Sequence, residues 1–145
     1  MGYHLAAGRT RRDQQVNLKD AQAIIDHIVL AATSNQLLVS ISVVDEMGNE
    51  IATTRMDGAR WFTPGIARAK AGTAALMGTD TSELGGLRAQ YPEVFEQVSE
   101  QLPFTPTTLP GGVFVASGGA IGVSGATPEE DVELAKNALD QALSS

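Results

Sequence analysis

Three charged residues could form a site for an anionic ligand: Arg55, Asp57 and Lys70. The Arg55 guanidinium can bind a carboxylate through two parallel hydrogen bonds, and Asp57 can act as a general base. Lys70 can supply positive charge, or act as a base if burial lowers its pKa. The alternative is an ion-pair set that ties the end of a hairpin to the following helix. Both interpretations place Arg55 and Asp57 where a strand ends, a common location for sites.

His27 is the candidate ligand for a metal ion. It lies three residues after Ile24 and one before Ile28, at the border of a predicted apolar helix face. A neutral imidazole is a common axial ligand of haem iron, so His27 is the candidate haem ligand. The alternative is a partly buried histidine satisfied by a hydrogen bond. His4 is a second candidate, but two isolated histidines without a carboxylate pattern do not predict a zinc site.

Gly122 and Ser124 belong to the segment AIGVSG at residues 120–125, which has two weak motif matches. It departs from the dinucleotide-binding fingerprint because Ala120 replaces the first glycine and because the glycines lie inside a predicted strand. It departs from the nucleophile elbow because Gly125 comes one residue early. Glycine inside a strand instead indicates close approach of a neighbouring backbone or of a ligand. Gly122 and Ser124 therefore remain candidate ligand contacts.

A predicted β-hairpin at residues 38–57 positions the first group of candidates. Apolar residues alternate with serines along residues 39–43, and residues 51–56 form a second predicted strand that is rich in β-branched residues. The turn between them, residues 45–49, contains Gly48, which can adopt a positive φ. Arg55, Asp57 and Gly58 follow at the open end of this hairpin.

Two helices are predicted around the hairpin. The first, residues 18–34, has Asn17 as its N-cap and Asp20 in its first turn. The second, residues 64–77, has Thr63 as its cap and Gly78 as its stop. This second helix consists of small residues, so we expect it to pack closely against the sheet or against another subunit.

Further helices are predicted in the second half of the chain. Residues 81–101 are expected to be helical, interrupted at residues 85–86 and restarted at Pro92. The residues expected to face inward after the restart are Val94, Phe95 and Val98. A second hairpin spans residues 113–124, and the capping box at residues 127–130 opens a final amphipathic helix. The acidic residues 129–131 are expected to be solvated or to interact with the helix dipole.

The order helix, hairpin, helices, hairpin, helix predicts an α+β fold with an antiparallel sheet. The chain of 145 residues fits one domain, which we place at residues 17–145 behind a flexible N-terminal arm, residues 1–16, that contains Arg9, Arg11 and Arg12. The net charge of −7 disfavours nucleic acid as a partner. There is no cysteine, which fits a cytoplasmic location, and no apolar run is long enough to predict a membrane span.

Three blocks resemble the GlcG/HbpS-like family of haem-degrading or haem-binding domains, which is related to the C-terminal domain of PduO-type proteins. They are SISVVDEMGNEIATTRMDGA, IARAKAGTAA and AIGVSGATPEEDVELAKNAL, in the family's order. The resemblance implies a profilin-like antiparallel sheet flanked by helices and assembly into dimers or larger homo-oligomers. Some relatives bind haem, and some are encoded in catabolic operons. The matched positions that we expect to line a site are Asp45, Arg55, Asp57, Gly58, Lys70, Gly122 and Ser124.

These observations support a leading hypothesis of a small oligomeric protein that binds haem or a related planar or corrinoid ligand. His27 would be the axial ligand, and Arg55 or Lys70 would bind the propionates. The alternative is a cofactor-independent lyase, isomerase or hydratase that acts on a small carboxylate or aromatic catabolite. In that case Arg55 would orient the substrate, Asp57 would move the proton and Lys70 would stabilise negative charge. A third hypothesis is a scaffold whose small-residue helix only builds an oligomer.

Overall fold

The computed structural model describes residues 15–143. Four strands form one antiparallel sheet in the spatial order β2-β1-β4-β3: β1 (Ser40–Val44), β2 (Glu50–Arg55), β3 (Gly112–Phe114) and β4 (Ala120–Ser124). The helices are α1 (Leu18–Ser34), α2 (Thr63–Met77), α3 (Leu84–Gln90), α4 (Pro92–Glu100) and α5 (Pro128–Leu143). A short 3-10 helix, Thr81–Glu83, precedes α3. The predicted α+β class, an antiparallel sheet of hairpins flanked by helices, is confirmed.

The N-terminal arm predicted at residues 1–16 lies outside the described residues except for its last two. His4 and the arginine cluster of the arm are therefore outside them as well. Val16 is buried in the core, and its backbone N–H donates to the Gly118 carbonyl at 3.3 Å. Within residues 15–143, no helix is both long and apolar enough to cross a bilayer.

The two faces of the sheet are covered by different helices. Val39, Ile41 and Val43 of the first hairpin belong to the main core, which also contains the apolar faces of α1 and α5. The opposite face of β1 carries Ser40 and Ser42, and it packs against α2. The two serines can be buried because their hydroxyl groups have partners. Ser40 hydrogen-bonds Thr63, and Ser42 hydrogen-bonds Thr53 of β2, each at 2.8 Å between hydroxyl oxygens.

Helix α2 packs directly on the backbone of β4. A Cβ atom on Gly122 would collide with the Ala67 carbonyl oxygen and would lie 2.8 Å from the Ala71 nitrogen. The small side chains of α2 allow this approach, as the sequence predicted for a packed small-residue helix. Gly122 is therefore a packing residue in this structure, in line with the general meaning of glycine inside a strand.

The predicted helix signals at Asn17, Gly78 and Thr127 are confirmed. Asn17 and Asp20 form a capping box, and Gly78 ends α2 in the left-handed conformation with φ +70°. Thr127 and Glu130 exchange side-chain hydrogen bonds with each other's backbone N–H groups, as expected for a capping box.

Three local predictions were wrong. Thr63 is the first residue of α2 and not its cap, because its hydroxyl is buried against Ser40 and the Arg60 carbonyl. Helix α3 continues through residues 85–86, and the break comes instead at Tyr91, because the following proline disfavours helical geometry there. In α4 only Phe95 is buried; Val94 and Val98 are 56% and 41% exposed.

Candidate functional site

A buried ion pair joins α2 to α5. The Lys70 ammonium lies 3.1 Å from the Asp131 Oδ2 atom and donates to the Val123 carbonyl at 2.7 Å. Both side chains are only 4% exposed. The second carboxylate oxygen, Asp131 Oδ1, accepts the Ala126 N–H at 3.0 Å. Each charge is therefore both paired and hydrogen-bonded, as buried charges must be to be tolerated.

Glycine at position 111 makes room for this pair. Gly111 has φ +126°, and a Cβ atom there would lie 2.8 Å from Lys70 Nζ and 3.1 Å from Asp131 Cβ. The neighbouring Gly112 is equally tight, since a Cβ atom there would collide with the Lys70 carbonyl. The chain at the start of β3 can therefore pack closely against Lys70 because these two residues lack side chains.

Burial dominates the electrostatics of the pair. It lowers the pKa of Lys70 below the ordinary value, against the opposing effect of the Asp131 carboxylate. Burial likewise raises the pKa of Asp131, with a small further rise from Glu130, while Lys70 and the Ala126 N–H act in the opposite direction. Desolvation therefore brings the pKa values of the two groups closer together.

The stability of the protein should carry the signature of Asp131. Because its folded pKa is raised above the ordinary 3.8, the folded state binds more protons than the unfolded state between those two values. The contribution of Asp131 to the free energy of unfolding is thus present below pH 3.8 and lost as the pH rises through the raised pKa. Chemical denaturation gives the free energy of unfolding of the wild type and of Asp131→Asn. The wild-type value minus the variant value should fall as the pH rises through this window. A difference that grows with pH contradicts the assignment.

The ion pair lines a surface cleft of about 470 Å³. The walls are largely apolar, and the residues that form them are Leu38, Phe62, Ile66, Leu109, Pro110, Ala126 and Pro128. The polar lining residues are Arg60, Thr63, Lys70, Ser124 and Asp131. Beside Phe62, the only tryptophan, Trp61, is 86% exposed, and the two rings meet edge to face at 5.7 Å between centroids.

This cleft is a better candidate site than a larger neighbouring one. The neighbouring cleft, of about 590 Å³, lies between α2 and residues 104–107. Its charged residues are Glu50 and Arg68, whose side chains are 48% and 49% exposed and 3.9 Å apart. Exposed pairs of this kind have little energetic or chemical consequence. The buried charges of the first cleft distinguish it.

Two of the predicted site residues, Lys70 and Ser124, line the candidate cleft. Arg55 is instead the exposed last residue of β2, and its guanidinium donates to the Ala59 carbonyl at 3.0 Å. Asp57 and Gly58 lie in the exposed turn that follows. The structure therefore does not place Asp57 on the cleft, and the partner of Lys70 is Asp131.

Asp45, Gly58 and Gly122 have local structural roles. Asp45 Oδ1 accepts the backbone N–H groups of Met47 and Asn49, both at 2.9 Å, and so fixes the hairpin turn. Gly58 has φ +85°, and a Cβ atom there would lie 3.1 Å from the Leu38 side chain at the rim of the cleft. Gly122 packs against α2 as described above.

His27 lies on the other side of the sheet from α2. It is exposed on α1, not partly buried, and it does not line the cleft. Among the described residues, no three His, Cys, Asp or Glu side chains are grouped so that they could hold a metal ion. A haem iron needs fewer protein ligands, and the exposed imidazole of His27 is one group of a type that can bind it.

Sequence analysis missed Asp131, Arg60 and Phe62. Asp131 was assigned to a solvated acidic segment, although it is buried. A signal was present, because Asp131 precedes the buried Leu134 and Ala135 by three and four residues and therefore lies on the apolar face of α5. Arg60 and Phe62 precede α2 in a loop, and no periodic pattern predicts the direction of such side chains.

Comparisons with known proteins agree with this fold. The chain is 28% identical over 144 residues to the corrinoid adenosyltransferase PduO of Citrobacter freundii, covering 94% of this chain and 43% of PduO. It thus spans less than half the length of this relative. The solved structure of HbpS is 30% identical, with a TM-score of 0.77 and coverage of 97% of this chain and 96% of HbpS. A solved complex of PduOC with haem is 28% identical, with a TM-score of 0.75 and coverage of 89% and 95%.

The predicted family resemblance is confirmed by a family model. The model described as haem degrading protein HbpS-like matches residues 16–140, which is most of the chain. Because the match extends from the end of the predicted arm to the last turns of α5, the chain belongs to the HbpS-like family.

Proposed function

We propose that this protein binds haem or a related planar tetrapyrrole, with His27 as the axial iron ligand. The observation that carries the proposal is the exposed imidazole of His27, which is the only histidine among residues 15–143. The similarity of the chain to PduOC, which was solved with haem, and its membership of the HbpS-like family support the same ligand class. Haem would supply an iron centre that accepts the neutral imidazole.

The surface around His27 fits one side of such a ligand. Leu30 and Ala31 follow His27 by three and four residues, so they neighbour the imidazole on the surface of α1. Leu30 is 70% exposed, which provides apolar surface beside the nitrogen ligand. A single helix surface covers only one face of a planar ring. The proposal therefore includes a homo-oligomer, dimeric or larger, in which a second copy covers the other face.

The propionate partners differ from the sequence-based expectation. Lys70 is paired with Asp131 in the cleft, across the sheet from His27, so it does not face a haem bound at His27. Arg55 is exposed and keeps its candidate role toward an anionic group. The absence of cysteine supports the further part of this proposal, that the protein functions in the cytoplasm.

The test is a titration with hemin. Wild-type protein should give a saturable shift of the Soret band, and His27→Ala should lose the shift because the imidazole supplies the axial bond. His4→Ala is the matched control, since it removes the only other histidine, and it should retain the shift. An unchanged spectrum for His27→Ala, or no saturable shift with the wild type, would contradict the proposal.

A further inference from the structure

The ammonium group of Lys70 retains one donor for a ligand. Its three N–H bonds have two acceptors in the structure, the Val123 carbonyl and Asp131 Oδ2. Among residues 15–143, the third N–H has no acceptor within hydrogen-bond distance. Lys70 lines the cleft, so an oxygen atom of a bound molecule can take this remaining position.

A second cation lies at the same cleft. The backbone of Arg60 is fixed, because its carbonyl accepts both the N–H and the hydroxyl of Thr63, at 3.1 and 2.7 Å. Its side chain is exposed and forms no ion pair with a carboxylate of the described residues. The lining thus contains two cations and one carboxylate, Asp131, a local charge of +1 in a chain whose net charge is −7.

The rest of the cleft accepts an apolar group. Leu38, Phe62 and Leu109 are each about half exposed at the cleft, at 49%, 44% and 51%. Ile66 and two prolines complete the apolar wall. Sites for small molecules typically combine such walls with a few polar groups in a volume of roughly 300–1,000 Å³. The volume here, about 470 Å³, suits a molecule with one ring or a short branched chain.

We infer that this cleft binds a small monocarboxylate with an apolar body, with the carboxylate between Lys70 and Arg60 and the body against Leu38, Phe62 and Leu109. A single negative charge matches the local charge of +1. A dianion would bring its second charge toward Asp131, and like charges at close range repel. A neutral analogue would leave the free donor of Lys70 and the guanidinium of Arg60 without a charged partner.

Phenylacetate and its neutral amide, phenylacetamide, are the probes that separate these cases. Calorimetric titration, with Trp61 fluorescence as a second readout, should show saturable binding of phenylacetate at millimolar concentrations or below. We expect phenylacetamide to bind about ten-fold or more weakly, because hydrogen bonds to a charged group contribute roughly 1.5–3 kcal/mol. No saturable binding of phenylacetate, or equal affinity for the amide, would overturn the inference.

Arg60→Gln tests the geometry without disturbing the fold, because the side chain is exposed. It should weaken phenylacetate binding about ten-fold, whereas Arg68→Gln, on α2 but outside the cleft, should leave it unchanged. The double variant Lys70→Met/Asp131→Leu removes both buried charges together and should abolish binding. If that variant does not fold, Arg60→Gln still decides, and equal affinity for Arg60→Gln and wild type would refute the placement. The inference does not depend on His27, which lies across the sheet.

Discussion

Lys70→Met is expected to lower the free energy of unfolding by about 3–5 kcal/mol, the range for breaking a buried ion pair by removing one partner. The substitution keeps a long side chain in place but leaves the Asp131 carboxylate with only the Ala126 N–H as a partner. The charge then remains buried in a site where the raised pKa of Asp131 already reflects its desolvation. Urea denaturation of the two proteins at neutral pH measures the difference.

Arg68→Met is the matched control for this experiment. Arg68 lies two residues before Lys70 on the same helix, but its side chain is 49% exposed and its partner Glu50 is 3.9 Å away. Exposed pairs contribute at most about 1 kcal/mol, so this variant should change the free energy of unfolding only slightly. Adding Asp131→Leu to the Lys70→Met variant removes the unpaired buried charge. It should recover most of the lost free energy of unfolding. Equal effects of the two single variants would show that the buried pair is not a special stability determinant.

Gly122→Ala is expected to destabilise the protein by about 3 kcal/mol, at the upper end of the range for overpacking. The added methyl group would collide with the Ala67 carbonyl oxygen, and that atom belongs to a helix backbone that cannot rotate away. Helix α2 would have to move off the sheet as a unit. The displacement would also carry Lys70 away from the Val123 carbonyl, so the cleft should change shape as stability falls. Thermal and chemical denaturation measure the first effect.

Gly86→Ala provides the comparison for this glycine. Gly86 lies inside α3, and a Cβ atom there would meet no atom within 4 Å. Alanine is favoured over glycine in a helix by about 1 kcal/mol, so this variant should be as stable as the wild type or slightly more stable. If Gly122→Ala behaved like Gly86→Ala, the close packing of α2 on β4 would be contradicted.

The local elements of this protein could be predicted because short-range patterns determine them. Helix α1 has the predicted bounds, Leu18–Ser34, since its apolar spacing lies within the segment and its two cap residues lie directly beside it. The first hairpin and the capping box of α5 were predicted correctly for the same reason. The errors at Thr63 and Val94 have the opposite cause. Each depended on which distant surface covers the residue, and a local pattern does not contain that information.

The sequence by itself determined the fold class, the family and the close packing of α2, because small residues and a strand glycine both predict approach of two backbones. Only the tertiary structure paired Lys70 with Asp131, which are 61 residues apart, and placed Arg60 and Phe62 at the same cleft. The same folding separated Arg55 and Asp57 from Lys70, and placed His27 across the sheet. Local periodicity determines which face of an element is buried, whereas the partner of a buried charge depends on how α2, β4 and α5 meet in space.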